Sequence, residues 1–182
     1  AILVTNVYGF PCNFQKLHEI CSKHNLILIE DAAESFGAEY EGQKSGSLAD
    51  ISTFSFFGNK TITTGEGGMI LTKSAEIFSK IEQLKNQGNS KTKRYYHEVL
   101  GYNYRMTNVQ AAIGCAQLDK IELILKLKKD VDQFYRSKLN DVATFQKAEK
   151  NSTSSFWMSS ILFESEKLKT RIEQQLEKSN VE

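Results

Sequence analysis

The sequence predicts an α/β fold, because segments with strand character alternate with segments whose apolar residues recur at helical spacing. Residues 26–29 form a short unbroken apolar run that ends in Glu30 and Asp31, which is typical of a buried parallel strand. The other strand candidates in this part of the chain are residues 1–8, 51–57 and 69–72. Open α/β sheets bind ligands at the carboxyl edge of their strands, so Asp31 marks a candidate site.

Helices are predicted between and after these strands. Asn13 and Ser74 are expected to act as N-caps of helices with apolar residues every three or four positions, and Gly88 to close the second helix. Residues 107–139 predict one long helix or two broken ones. A further strand at 156–163 and a helix at 166–178 complete the prediction. We therefore expect a large domain with its linker helix at residues 1–140 and the beginning of a smaller domain at 141–182.

Composition excludes several classes of partner. The 182 residues are 40% hydrophobic and 25% charged, with a net charge of +1, so no general field favours nucleic acid or an anionic membrane. No apolar stretch approaches the roughly 20 residues that span a bilayer. The three cysteines form no pair at metal-binding spacing, and His18 and His24 do not share a helix face. We expect a reducing, cytoplasmic location and no metal site.

Lys60 is the candidate reactive residue. It lies between two predicted strands, after the aromatic segment that follows Ser55 and before the glycine cluster at residues 65–68. Taken alone, this lysine would be a solvated surface residue, and Asp31 would as easily cap the next turn. Residues 88–104 form an unusually long basic and aromatic loop, which indicates a functional or interface segment.

Four sequence segments, taken in their order along the chain, give Lys60 a specific interpretation. Residues 30–34, 55–60, 63–68 and 101–106 resemble the DegT/DnrJ/EryC1/StrS family of pyridoxal-phosphate-dependent sugar aminotransferases, and the match covers residues 1–140. The resemblance implies a fold-type I transferase, similar to aspartate aminotransferase, that forms a homodimer with active sites at the subunit boundary. The chain would hold an incomplete large domain and the start of the small one, as a central fragment of a protein about twice as long.

The resemblance also implies roles for individual residues. Lys60 would form a Schiff base with the aldehyde of pyridoxal phosphate and later move a proton, while Asp31 would face the pyridine nitrogen. Glu34 would lie near the ring hydroxyl, with a solvated or structural glutamate as the alternative. Ser55 would bind the phosphate, and Asn103 would reach it from the neighbouring subunit.

Residue 60 also bears on the reaction. The sugar 3-dehydratases of this family carry histidine there, so a lysine favours transamination. The segments around residues 95–97 and 101–106 are most similar to the branch that aminates C4 of a nucleotide-linked 4-keto-6-deoxyhexose with L-glutamate. Tyr96, His97 and Arg105 are predicted to line the sugar-nucleotide side, from their loop position and polarity. A non-catalytic fragment that retains no cofactor, and a dehydratase, remain alternatives.

Overall fold

The computed structural model describes residues 1–181. Its strands are β1 (Ile2–Thr5), β2 (Leu28–Asp31), β3 (Glu39–Tyr40), β4 (Gln43–Lys44), β5 (Ile51–Ser55), β6 (Gly68–Thr72), β7 (Thr144–Phe145), β8 (Ser152–Thr153) and β9 (Ile161–Leu162). Its helices are α1 (Phe14–His24), α2 (Ala75–Lys85), α3 (Asn108–Leu118), α4 (Ile121–Leu139) and α5 (Glu166–Lys178), with a short 3-10 turn at Val7–Gly9.

A four-stranded sheet forms the centre of the fold, in the order β1-β2-β5-β6. The first three strands are parallel, and β6 runs antiparallel to β5. The four predicted strands and the α/β class are confirmed. The first strand is shorter than predicted, because Tyr8 has a positive φ and the chain turns into the 3-10 helix after Thr5.

Helix caps follow the sequence closely. The side chains of Asn13, Ser74 and Thr107 each accept a hydrogen bond from a backbone amide in the first turn, which begins α1, α2 and α3. Residues 107–139 form two helices, the second of the two alternatives. The predicted left-handed conformation of Gly88 at the end of α2 is confirmed with a φ of +69°, and Gln87 before it also has a positive φ, 61°. The Gly88 amide donates to the Gln83 carbonyl at 2.9 Å and so closes the helix.

The later part of the chain contacts the earlier part. Strand β8 pairs with β3, and the Ser155 amide donates to the Gly9 carbonyl at 3.0 Å. The strand expected at 156–163 is wrong except for β9, because Phe156 has a positive φ and Trp157 turns toward the first half of the molecule. The helix expected at 166–178 is confirmed as α5.

Two apolar clusters make the core. One packs Phe14 and Leu28 between α1 and the sheet, and the other packs Phe54, Phe56 and Ile62 beneath the first turn of α4. The remaining apolar positions of α4 lie largely exposed, and its one buried residue is Asp132, which pairs with Arg136. Among residues 1–181, no helix combines the length and the apolar character that a membrane span requires.

Candidate active site

Three parallel strands end at one edge of the central sheet. Thr5 ends β1, Asp31 ends β2 and Ser55 ends β5. The alternation of side chains along a strand puts Asp31 on the opposite face from Glu30, its predecessor. The sheet edge thus carries two hydroxyls and a carboxylate; the sequence predicted Asp31 and Ser55 here but not Thr5.

Neighbouring donors hold the half-buried Asp31 carboxylate. The Thr5 hydroxyl donates to Oδ2 at 3.4 Å, and the Ala33 amide donates to Oδ1 at 3.0 Å. Each oxygen has a second lone pair in addition to the one already engaged, so the group can still accept a hydrogen bond from a ligand. The carboxylate is therefore oriented before any ligand binds.

Lys60 lies in a tightly closed loop that follows β5 at the same edge. Its amide donates to the Phe57 carbonyl at 3.0 Å, and the Thr64 amide returns to the Phe56 carbonyl at 2.9 Å. The side-chain amide of Gln117, on α3, accepts from the Thr63 amide and donates to its carbonyl. Backbone and side-chain hydrogen bonds thus fix the loop on both sides of the lysine.

The Lys60 amine lies over an aromatic ring. Its Nζ is 4.2 Å from the centre of the Trp157 ring, and the side chain is half-buried. The indole N–H donates to the Asn59 carbonyl at 2.8 Å, and Tyr8 stacks on the ring at a centroid distance of 6.2 Å. Sequence reasoning missed Trp157, since it lies 98 residues from Asn59 and only its being the single tryptophan of the chain could have drawn notice.

Glu34 and Ser55 are already engaged with backbone groups. The Glu34 carboxylate accepts a hydrogen bond from the Tyr8 amide at 2.7 Å. The backbone carbonyl of Glu34 accepts one from the Ser155 hydroxyl at 3.2 Å. The Ser55 hydroxyl accepts from the Phe57 amide at 3.3 Å, which leaves its proton free to be donated. Glu34 therefore also links the turn after β1 to the segment around residue 155.

Asn103 and Arg105 lie apart from this edge. They line a groove of about 630 Å³ between β6, α2 and α3, together with Gly67 and Gly68, and Arg105 donates to the Asn86 side chain at 3.3 Å. Asp31, Ser55 and Lys60 are not among the described residues that line this groove. Within one chain, Asp31 and Ser55 thus end neighbouring strands and Lys60 lies in the loop that follows β5, whereas Asn103 lines a separate groove.

Tyr96 and His97 occupy the exposed loop between α2 and α3. The Lys93 amine lies 4.5 Å from the Tyr96 ring centre, and the His97 Nδ1 is 2.8 Å from the Gln87 carbonyl. A bridge between Asn89 and His97 gives the loop a hairpin-like start. Among residues 1–181, no group of three or more histidine, cysteine or acidic side chains is arranged to hold a metal ion.

A buried carboxylate supports the edge from the other face of the sheet. Glu30 is fully buried and accepts four hydrogen bonds of 2.7 to 3.0 Å, from the side chains of Asn6, Ser45 and Ser52 and from the Gly46 amide. The sequence placed Glu30 with Asp31 at the end of the strand, which is confirmed, but it did not predict this buried network. Gly46 is needed here because it has a φ of +94° and a Cβ would overlap the Phe54 ring.

Cys12 borders this network, because its amide donates to the Asn6 side chain at 3.1 Å. Burial, together with the nearby Glu30 and Glu149 carboxylates, raises the pKa of the Cys12 thiol. A raised pKa means less thiolate at any pH below it, so the thiol is a slower nucleophile. We predict that iodoacetamide at pH 8 alkylates the exposed Cys115 well before Cys12 in the folded protein. Peptide mass mapping over time checks this, and equal rates in the folded state would contradict it; in urea the two rates should converge.

The whole chain matches one family. The model of the DegT/DnrJ/EryC1/StrS aminotransferase family aligns with residues 1–182. The chain belongs to this family. The four sequence segments that suggested the resemblance contain the Asp31 and Lys60 of the sheet edge described above.

Relatives within the DegT/DnrJ/EryC1/StrS family include two named GDP-perosamine synthase. The protein from Vibrio cholerae is 47% identical over 167 residues, which are 91% of this chain and 46% of that protein. The protein from Caulobacter vibrioides is 50% identical over 139 residues, 76% of this chain and 38% of the relative. The chain thus spans less than half the length of these curated relatives.

A solved structure of the same fold is the E. coli GDP-4-keto-6-deoxy-D-mannose-3-dehydratase with bound hydrated PLP. It superposes with a TM-score of 0.89 and 25% identity, covering all of this chain and 51% of the other. The fold expected from the family resemblance, that of the fold-type I transferases, is confirmed for the part of the chain described.

Proposed function

We propose that this protein is a pyridoxal-phosphate-dependent aminotransferase that moves the amino group of L-glutamate to a nucleotide-linked keto-deoxysugar, a 4-keto-6-deoxyhexose. The observation that carries the proposal is that the loop carrying Lys60 follows β5 at the sheet edge where the oriented Asp31 carboxylate ends β2, within a chain that matches the family. The relatives named GDP-perosamine synthase support the sugar class.

The residues at this edge fit pyridoxal phosphate. The cofactor needs an amine for its aldehyde, an anion for its ring nitrogen and hydrogen-bond donors for its phosphate, and Lys60, Asp31 and Ser55 supply one of each. Next to Lys60, Thr61 is buried, and its hydroxyl has no hydrogen-bond partner within residues 1–181. Such an unpaired buried hydroxyl is costly, which suggests that the folded site gains another polar group.

Each residue has a defined task in the proposed reaction. When bound, pyridoxal phosphate carries the amino group between the two substrates and draws electron density away from the carbon that loses its proton. Asp31 holds the ring nitrogen protonated, which strengthens that withdrawal. Once its amine is free, Lys60 would be the base that takes the proton from the substrate Cα and the acid that returns it during the amino transfer, and the second half of the reaction would use the same two roles in reverse.

The other predicted residues keep supporting roles. Ser55 donates to the phosphate, Asn103 reaches the phosphate of the second subunit, and Glu34 lies near the ring hydroxyl. Tyr96, His97 and Arg105 bind the sugar nucleotide. Since Asn103 lines a groove away from Lys60, its contribution requires a homodimer with shared active sites. We place the enzyme in the cytoplasm, in the synthesis of cell-surface polysaccharides such as O-antigen.

The dehydratase alternative is not favoured. Two structures that carry a dehydratase name are 25% identical to this chain, whereas three relatives named GDP-perosamine synthase are 44% to 50% identical. Lys60 also occupies the position at which the dehydratase branch would need histidine. The second alternative is a chain that retains no cofactor, and the absorbance test below distinguishes it from the aminotransferase.

The test is spectroscopic. Pyridoxal phosphate added to the purified protein should produce a yellow absorbance, L-glutamate should bleach it, and a GDP-linked 4-keto-6-deoxyhexose should restore it while the sugar product gains nitrogen. An unchanged spectrum in the first step would contradict cofactor binding. Recovery of colour with a sugar product that lacks nitrogen would contradict the aminotransferase and favour the dehydratase.

Asp31→Asn should damage chemistry more than binding. The neutral amide cannot hold the ring nitrogen protonated, so we expect kcat to fall by about 10²- to 10³-fold with a smaller change in the affinity for pyridoxal phosphate. Steady-state kinetics and a cofactor titration measure the two effects. Asp119→Asn, at the exposed end of α3, is the matched control and should leave both unchanged. A kcat within about twofold of the parent would refute the role of Asp31.

A further inference from the structure

We propose that Trp157 is a positioning residue that keeps the Lys60 amine in place when it is not bonded to the cofactor and stabilises its ammonium form once it has taken the substrate proton; this inference rests on the proposed function. The Nζ of Lys60 lies 4.2 Å from the centre of the indole ring. Trp157 is 9% exposed, so the contact is formed at the edge of the core, where water competes weakly.

The indole is held from several sides independently of Lys60. Its N–H donates to the Asn59 carbonyl at 2.8 Å, which links the ring to the loop that carries the lysine. Tyr8 stacks on the ring. The half-buried Lys128 donates to the backbone carbonyl of Trp157 at 3.4 Å, which holds the main chain of the same residue. Because the ring is fixed, it defines a single place for the amine, which would otherwise move freely on a four-carbon chain.

An ammonium at this place suits the proposed proton transfer. In that reaction Lys60 would be an ammonium in the interval between taking the substrate proton and returning it. The face of an aromatic ring attracts a cation, and tryptophan does so best among the three aromatic residues. Trp157 would stabilise the amine in its protonated form close to the reacting carbons and keep it from turning into solvent.

The indole N–H and the ring face can be separated by substitution. Trp157→Phe retains an aromatic face but loses the hydrogen bond to Asn59, and Trp157→Leu loses both. We expect kcat to fall about tenfold in Trp157→Leu and about two- to threefold in Trp157→Phe, with KM for L-glutamate little changed in both. Met158→Leu, at the neighbouring exposed position, should behave as the parent.

A direct readout of the contact does not depend on activity. Reductive methylation of the cofactor-free protein with ¹³C-formaldehyde labels the lysines, and the Lys60 signal is the one lost in Lys60→Arg. Protons above an aromatic ring are shifted upfield, so the Lys60 methyl signal should lie upfield of the exposed lysines. Trp157→Phe should retain part of the shift, Trp157→Leu should abolish it, and Met158→Leu should preserve it.

The outcomes separate this inference from the function on which it rests. Pyridoxal phosphate added before methylation should protect Lys60 from the reagent. If Lys60 of the parent protein is protected but gives no upfield signal, the role of Trp157 alone is overturned. This comparison uses the parent protein and so does not depend on the folding of any variant. An upfield signal without protection would overturn the proposed function, and the role of Trp157 in catalysis would fall with it.

Discussion

Lys60→Ala is expected to lose at least about 10⁴-fold in the transamination rate and to form no yellow absorbance with pyridoxal phosphate. The substitution removes both the amine that bonds to the cofactor and the base that moves the substrate proton. The protein should still fold, because the half-buried Lys60 side chain contributes one contact to Trp157, and the loop is closed by backbone hydrogen bonds.

Two variants control for this loss. Lys60→Arg keeps a positive charge near Trp157 but cannot form the bond, so it should be as inactive as Lys60→Ala. Lys73→Ala removes an exposed lysine before α2 and should retain colour and rate. Absorbance spectra and single-turnover kinetics with L-glutamate measure both properties. A Lys60→Ala protein that still develops the absorbance would show that another amine binds the cofactor.

Glu30→Ala should lower the free energy of unfolding by about 3 to 5 kcal/mol, because each of four buried donors that loses its acceptor costs about 1 to 3 kcal/mol before the site relaxes. The Glu30 carboxylate on β2 joins Asn6, which directly follows β1, Ser52 on β5 and the loop at Gly46, so its loss affects the sheet at several places at once. Glu30→Gln retains one acceptor oxygen but adds an NH₂ group that faces donors. Its free energy of unfolding should therefore lie between those of the parent and Glu30→Ala.

A surface glutamate provides the comparison for Glu30. Glu39 pairs with Lys44 at 2.6 Å where both side chains are well solvated, so Glu39→Ala should cost less than about 1 kcal/mol. Urea unfolding curves followed by circular dichroism give both values. If Glu30→Ala were no more destabilising than Glu39→Ala, the hydrogen-bond network would not stabilise the sheet as described.

The sequence predicted those parts of the site that follow from local pattern. Asp31 ends a short apolar run, and Lys60 follows a β-rich segment, so their presence at one sheet edge is a consequence of parallel strand order. The helices with a predicted N-cap, α1 after Asn13 and α2 after Ser74, were found for the same reason. These features depend on residues within a few positions of one another.

The features that escaped prediction depend on distant contacts. Trp157 reaches Lys60 because the chain after α4 returns to β3, and no local pattern encodes that pairing. Glu30 is buried because four donors from separate segments converge on it, whereas an acidic residue at a strand end usually favours solvent. The boundary at residue 140 between the two domains stays a prediction.

The most direct test of the account is to locate the cofactor on the chain. Pyridoxal phosphate is added to the purified protein, sodium borohydride reduces the bond between the cofactor and its lysine, and peptide mass spectrometry identifies the modified residue. We predict a single pyridoxyl group at Lys60 that disappears in Lys60→Arg. Stable labelling of another lysine, or of none, would contradict the assignment of Lys60 and the function built on it.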